Sequence, residues 1–315
     1  MDALSHALLG VAVAGLSGHP LSIHDPIYLA SVIGAQAPDF DIIAILRGNF
    51  AFLRQHRAFS HSLPGIAIWS ALITCGFFLV SQETVASEIF LWSFLGGLSH
   101  ILLDFFNAHG AAVLWPLSRK RQSFSLLNVF DPLLLTAMVA VYCLQLSAYT
   151  TSLLFFLLII LYIAIRYLLK QQNILRLQQQ FTNDTVERLL VMPSLKSIFR
   201  WDFVLETHDK YYVGQIGFFR QTLTIYTELS KQTASPATLA AHNTVIGKFF
   251  STFTPFSYFT EYQDTEQNNK FVTIYDLRYF LNQDFLHSAT IMFNANESPC
   301  DSYIKTSGRV IKVPC

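Results

Sequence analysis

The chain has 315 residues, enough for two domains, and is 52% hydrophobic against 13% charged, with a mean hydropathy of +0.38 that points to a membrane class. Its 21 Lys and Arg balance 21 Asp and Glu, so no overall basic field argues for nucleic acid and no acidic field for a basic partner. The 4 cysteines are too few and scattered for a disulfide scaffold and fit a reducing compartment, with a Cys300–Cys315 bridge left open. The N-terminus lacks a basic region and a small-residue cleavage site before its apolar stretch and is expected to be retained.

In chain order, two apolar segments come first, Ala3 to Leu16 and Ile27 to Leu46. One is short and the other is interrupted by Pro38, Asp39 and Asp41, so a tilted or re-entrant pair is expected. Leu63 to Val80 has spanning length, and Glu88 to Phe106 qualifies despite His100 and Asp104. Leu133 to Leu169 is divided in two by a polar break near Ser147 to Ser152. The fold predicted is an α-helical membrane bundle of about six membrane segments over residues 1–170. A Gln-rich linker follows over 171–182, then a soluble cytoplasmic α+β or mainly β domain over 183–315. In that domain, Phe199 to Phe219, Thr222 to Glu228, Lys270 to Phe280 and Thr290 to Phe293 read as strands, with Asp209 and Lys210 as a hairpin turn.

Positive charge is retained on the cytoplasmic side of an inner membrane. Arg47, Arg54 and Arg57, then Arg119, Lys120 and Arg121, then Arg166, Lys170 and Arg176 mark alternate loops, while the intervening short loops carry no Lys or Arg. A multi-pass protein with both termini cytoplasmic is expected.

Ionisable residues in membrane segments are costly, so their positions carry information. Asp2 and His6 open the first segment, Asp39 and Asp41 lie near the end of the second, and His56 and His61 follow in the next loop. His100 and Asp104 sit near the end of the fourth segment, with His109 just beyond and Asp131 before the fifth. The parity of the segments puts all of them on the cytoplasmic side. Asp2/His6 and His100/Asp104 are each spaced i, i+4, so each pair shares a helix face. Imidazole with carboxylate suits Zn²⁺, Mn²⁺ or Fe²⁺. Asp2, His6, Asp39, His56, His61, His100 and Asp104 are the expected ligands, more than one tetrahedral ion needs, which allows a two-metal site. Asp39 or Asp41 is the candidate general base, and Arg57 either holds a phosphate or marks the cytoplasmic side.

Taken singly, each His or Asp reads as an interfacial or capping residue; the constellation does not. Asp131 before Pro132 has the pattern of an N-cap. Gly96 and Gly97 read as close helix packing. His19 and His24 fall in an external loop, and His208, His242 and His287 are dispersed.

The order of these residues resembles the membrane-bound metal-dependent hydrolases that include the LexA-binding, inner-membrane-associated hydrolases. The matching segments are Met1-Asp2-Ala3-Leu4-Ser5-His6 with Gly10, Ala37-Pro38-Asp39-Phe40-Asp41, His56-Arg57-Ala58-Phe59-Ser60-His61-Ser62, and Ser99-His100-Ile101-Leu102-Leu103-Asp104 running through His109-Gly110 to Trp115-Pro116. Ser5 and Ser60 stand where relatives usually have Thr, Ala58 where they have Gly, and His109 where Thr is common. The resemblance covers about residues 1–132 and implies a metal and hydrolysis, without a substrate.

The function expected is a metal-dependent hydrolase using Zn or Mn, acting on an ester or phosphoester of a membrane lipid or lipid-linked metabolite at the cytoplasmic face. The alternative is a non-enzymatic adaptor whose C-terminal domain binds a cytoplasmic regulatory protein. A metal permease is disfavoured, because the ligands lie at one face and not at the midplane.

Overall fold

The computed structural model describes residues 1–41, 58–80, 85–118, 121–182, 184–217, 222–264, 269–294, 298–306 and 308–313. The chain divides into two compact units, Met1–Leu169 and Lys170–Cys315.

The first unit is helical: α1 (Ala3–Gly15), α2 (Pro26–Gln36), α3 (Leu63–Val80), α4 (Ala86–Phe106), α5 (Pro132–Tyr142) and the start of α6 (Ala148–Gln180). Only α3, α4 and α6, with 18, 21 and 33 residues, are long and apolar enough to cross a membrane among the described residues. Of the six expected segments, three are membrane-length helices and the others are shorter. α1, α2 and α5 have 13, 11 and 11 residues. At about 1.5 Å per residue they fall short of a hydrocarbon core about 30 Å thick.

Each short helix starts at an acidic cap. Asp2 accepts from the backbone N–H of Ser5, Asp25 from Ile27 and Asp131 from Leu134. Pro26 and Pro132 occupy the first helical position, where the missing N–H is harmless. The break expected near Ser147 to Ser152 falls slightly earlier, between Tyr142 and Ala148.

The most apolar stretch of α3 is 17% buried and that of α4 is 50% buried, so α4 is an inner helix and α3 a peripheral one. The outer faces of α3 and α6 present Ile68, Leu72, Phe78, Leu157, Ile160 and Leu161, a surface suited to lipid. Leu9, Leu103, Leu127, Leu134, Met138 and Phe155 form a core joining α1, α4, α5 and α6. Two glycines bring α2 against α4: a Cβ on Gly34 would meet the Ser93 carbonyl, and one on Gly96 would meet the Ser31 carbonyl. The sequence reading of Gly96 as a packing residue agrees with this contact.

The second unit is antiparallel β with two short helices. β1 (Val186–Ser194), β2 (Ser197–Thr207), β3 (Lys210–Gly217) and β4 (Leu223–Ser230) form a four-stranded meander. α7 (Pro236–Asn243) and α8 (Val245–Phe253) follow, capped by Ser235 and Thr244. β5 (Ser257–Asp264), β6 (Asn269–Asp276), β9 (His287–Phe293), β10 (Pro299–Thr306) and β11 (Arg309–Val313) form a five-stranded sheet in the order β11-β10-β9-β6-β5. β7 (Phe280–Leu281) and β8 (Asp284–Phe285) make a small hairpin. The run from Phe199 to Phe219 forms two antiparallel strands, β2 and β3, with the turn close to the expected Asp209–Lys210 position, where Thr207 Oγ1 accepts from the backbone N–H of Lys210. The Gln-rich segment is helical through Gln180.

Candidate metal centre

Four separate pieces of chain supply the site. His6 lies one turn into α1, Asp39 and Asp41 lie in the helical turn after α2, His61 stands just ahead of α3, and His100 and Asp104 occupy one face of α4. His6, His61, His100 and Asp104 are fully buried. The Asp39 side chain retains 33% exposure, so it is the carboxylate of the cluster that meets the outside. The rings of His6 and His100 stack with centroids 3.6 Å apart, and His61 meets His100 edge-on.

Hydrogen-bond accounting fixes what these side chains offer. His100 Nδ1 lies 2.7 Å from the Ala35 carbonyl, which only accepts, so Nδ1 carries the proton and Nε2 presents a lone pair. The Ser60 hydroxyl donates to Asp41 at 2.7 Å and therefore accepts from His61 Nδ1 at 3.0 Å, which leaves the Nε2 lone pair of His61 facing inward. The two Nε2 atoms are 3.3 Å apart. Asp39 Oδ1 lies 3.4 Å from His61 Nε2 and 3.7 Å from His100 Nε2, and Asp104 Oδ2 lies 3.6 and 3.8 Å from the same pair. Four electron-pair donors thus face one another in a buried space. Such a concentration of lone pairs favours a cation among them, beyond the Met1 ammonium that already pairs with Asp104.

Two groups, His6/Asp39/His100 and His61/His100/Asp104, have ligand atoms within 4.8 Å of one another and can hold a metal ion. They share His100, and one Nε2 lone pair serves one ion, so the described donors suit a single position. His6 Nδ1 is buried without a hydrogen-bond partner among the described residues. The α-amino group of Met1 hydrogen-bonds Asp104 and lies 2.9 Å from His6 Nε2. Backbone carbonyl, serine and carboxylate behind the two imidazoles form the outer layer that holds metal-binding histidines in register.

Of the residues expected in the site, His6, Asp39, His61, His100 and Asp104 come together. Asp2 does not join them: its carboxylate accepts from the backbone N–H of Ser5 at 3.0 Å and from the Ser5 hydroxyl at 2.7 Å, closing the first turn of α1. The i, i+4 spacing with His6 is equally compatible with a ligand pair and with a cap, and the cap prevails. Asp41 stands behind His61, with Oδ2 3.7 Å from Nδ1, and orients the ring together with Ser60. His56 and Arg57 lie outside the described residues. The backbone N–H of His109 donates to Asn107 Oδ1 at 2.8 Å. Asp131 caps α5 and accepts from the Tyr162 hydroxyl at 2.8 Å.

Two contributors were assigned no role from the sequence, although Ser60 stands in the His56 to Ser62 motif. Asn107 Nδ2 donates to Asp104 Oδ1 at 2.8 Å, while its Oδ1 accepts from the backbone of His109 and Gly110 and pins the chain leaving α4. Its only sequence signal is an amide three residues beyond the acidic ligand. Ser60 is the other, signalled by a hydroxyl immediately before a histidine.

The fold and site together define a helical membrane protein with a buried His/Asp cluster able to hold a metal ion. The YdjM inner membrane protein family matches residues 1–173, and the chain belongs to that family, the LexA-binding membrane-bound metal-dependent hydrolases anticipated from its motifs. It is also 30% identical over 225 residues to the uncharacterized protein YfhP of Bacillus subtilis (strain 168), covering 68% of each chain. No solved structure matches it.

Proposed function

We propose that this protein is a metal-dependent hydrolase acting on an ester or phosphoester, carried by a membrane lipid or a lipid-linked metabolite, at the cytoplasmic face of the inner membrane. The observation that carries the reading is the convergence of the His61 and His100 Nε2 lone pairs with the Asp39 and Asp104 carboxylates. Zn²⁺ or Mn²⁺ suits this nitrogen and oxygen set. A bound ion of this kind supplies Lewis acidity toward the ester oxygen and lowers the pKa of water. His61, His100 and Asp104 form one holding group, and His6 and Asp39 group with the same His100. Asp39, which alone of the five retains appreciable exposure, is placed to take a proton from the attacking water. Asp41 and Ser60 hold His61 in the tautomer that keeps its Nε2 lone pair inward. The distribution of Lys and Arg supports both termini on the cytoplasmic side.

Metal analysis of detergent-purified protein tests the reading. About one equivalent of Zn or Mn is expected, falling to near zero in His100→Ala and in Asp104→Ala. Unchanged metal in both variants, or no ester or phosphoester hydrolysed by metal-loaded protein in a substrate screen, would overturn it. A second reading is supported by the separate compactness of Lys170–Cys315: that unit docks a cytoplasmic regulatory protein. The His100→Ala variant would then keep its cellular phenotype and its captured partner.

A further inference from the structure

The C-terminal unit contains a cavity of about 890 Å³ between the meander and the β5–β6 side of the larger sheet, with the β7–β8 hairpin along one wall. Its size falls within the range of small-molecule sites, roughly 300–1,000 Å³. Neither the metal centre nor the family match over residues 1–173 accounts for it.

The lining settles what chemistry it can receive. Its charged groups are already engaged: Lys196 donates to Asn282 at 3.0 Å, Asp284 pairs with Lys305, and Asp202 accepts from Gln215 at 2.7 Å. Burial pushes the Asp202 carboxyl above its ordinary value, which weakens it further as a partner for a cation. An anion would meet two carboxylates and a single, occupied ammonium. The neutral lining is rich in hydroxyl-bearing side chains, Tyr226, Thr227, Thr260 and Tyr275 among them. Beside them stand aromatic faces: Tyr226 stacks on Phe280 with centroids 5.7 Å apart, and Tyr226 itself is 41% exposed.

Hydroxyl groups able both to give and to take a hydrogen bond, set among aromatic faces and without a spare charge, match a ligand that is neutral, rich in hydroxyls and apolar on its ring faces. We infer that this cavity is a binding site for a neutral sugar or glycosyl group. The site is independent of the proposed hydrolytic centre, and its ligand is recognised by the second unit alone.

Saturation-transfer NMR on the full chain tests this, in nanodiscs whose lipids carry no sugar and without maltoside detergent. The probes are glucose, galactose, N-acetylglucosamine and their disaccharides, with choline and inorganic phosphate as the cationic and anionic controls. Transfer to the ring protons of at least one sugar is expected, with none to choline or phosphate. The double variant Thr227→Val/Thr260→Val, which removes two hydroxyls at nearly constant shape, is expected to weaken the best sugar by about tenfold. Tyr226→Ala is expected to weaken it as well. His100→Ala should leave sugar transfer unchanged, so a failed metal centre and a failed cavity give different patterns. No transfer to any sugar would overturn the inference, as would transfer to choline or phosphate in place of sugar. Undiminished sugar transfer in a folded double variant would overturn it too.

Discussion

In the C-terminal unit a buried charge meets its opposite. Arg278 Nε and Nη2 donate to Asp276 at 2.9 and 2.8 Å, Thr254 donates to the same carboxylate at 2.7 Å, and Arg278 also reaches the Phe253 carbonyl at 3.0 Å. In the N-terminal unit, buried imidazole and carboxylate lone pairs point at one another, and behind them lie groups that fix the imidazole tautomers. Both arrangements place most of their polar atoms out of water, with Asp39 the exposed carboxylate of the N-terminal cluster. The first is complete within the protein. The second gathers donor atoms that could hold a metal ion, and this difference separates a structural polar core from a candidate site.

The comparison can be broken from either side. Arg278→Ala strands Asp276 in the C-terminal unit and is expected to lower stability by about 3–5 kcal/mol in chemical unfolding, with metal content unchanged. His100→Ala should do the reverse, abolishing metal while the unfolding of the C-terminal unit stays as it was. Should Arg278→Ala remove metal, the two units would not be independent and the contrast would fail.

Smaller effects sharpen it. Gly96→Ala drives a methyl into the Ser31 carbonyl, separates α2 from α4 and shifts the Ala35 carbonyl that holds His100. A loss of about 1–3 kcal/mol is expected by thermal unfolding, together with weaker metal binding. Asn107→Ala leaves the donors in place but releases Asp104, so metal affinity measured by competition with a chelator should fall about 10- to 100-fold. An unaltered affinity would remove Asn107 from the site.

The smallest effect is one of pH and belongs to the C-terminal unit. Burial would raise the Glu206 carboxyl, but hydrogen bonds from Arg188 and Lys231 outweigh it and hold the group below its ordinary value of 4.5. A group depressed on folding contributes stability that is present above its unfolded value and is lost as pH falls through the folded one. Unfolding followed by circular dichroism should therefore show stability falling below about pH 4.5, and Glu206→Gln should flatten that dependence.

Much of the site was legible before any coordinates. The i, i+4 pair His100/Asp104, Asp39 and His61 were singled out by spacing and order in the chain, and they come together in the fold. Asp2 was misjudged because its spacing from His6 fits two roles. A hydrogen bond to the Ser5 N–H decides between them, and no residue count reveals that bond. The lengths of the shorter helices were not legible because apolar runs continue past their ends: Ile27 to Leu46 reads as one stretch, whereas α2 stops at Gln36. Strands β1, β5, β10 and β11 were missed, since exposed polar residues interrupt their alternation and cross-strand pairing sustains them.

By itself the sequence determined the helical-then-β organisation and the kinds of donor atom available, because hydrophobic periodicity and residue type are local properties. Which five side chains meet, and which nitrogen of each imidazole looks inward, was decided by tertiary structure alone. Helix rotation and separation follow from contacts between distant segments, such as Gly34 against Ser93 and Gly96 against Ser31. A turn of a few tens of degrees in α4 would aim His100 at lipid without changing a letter of the chain.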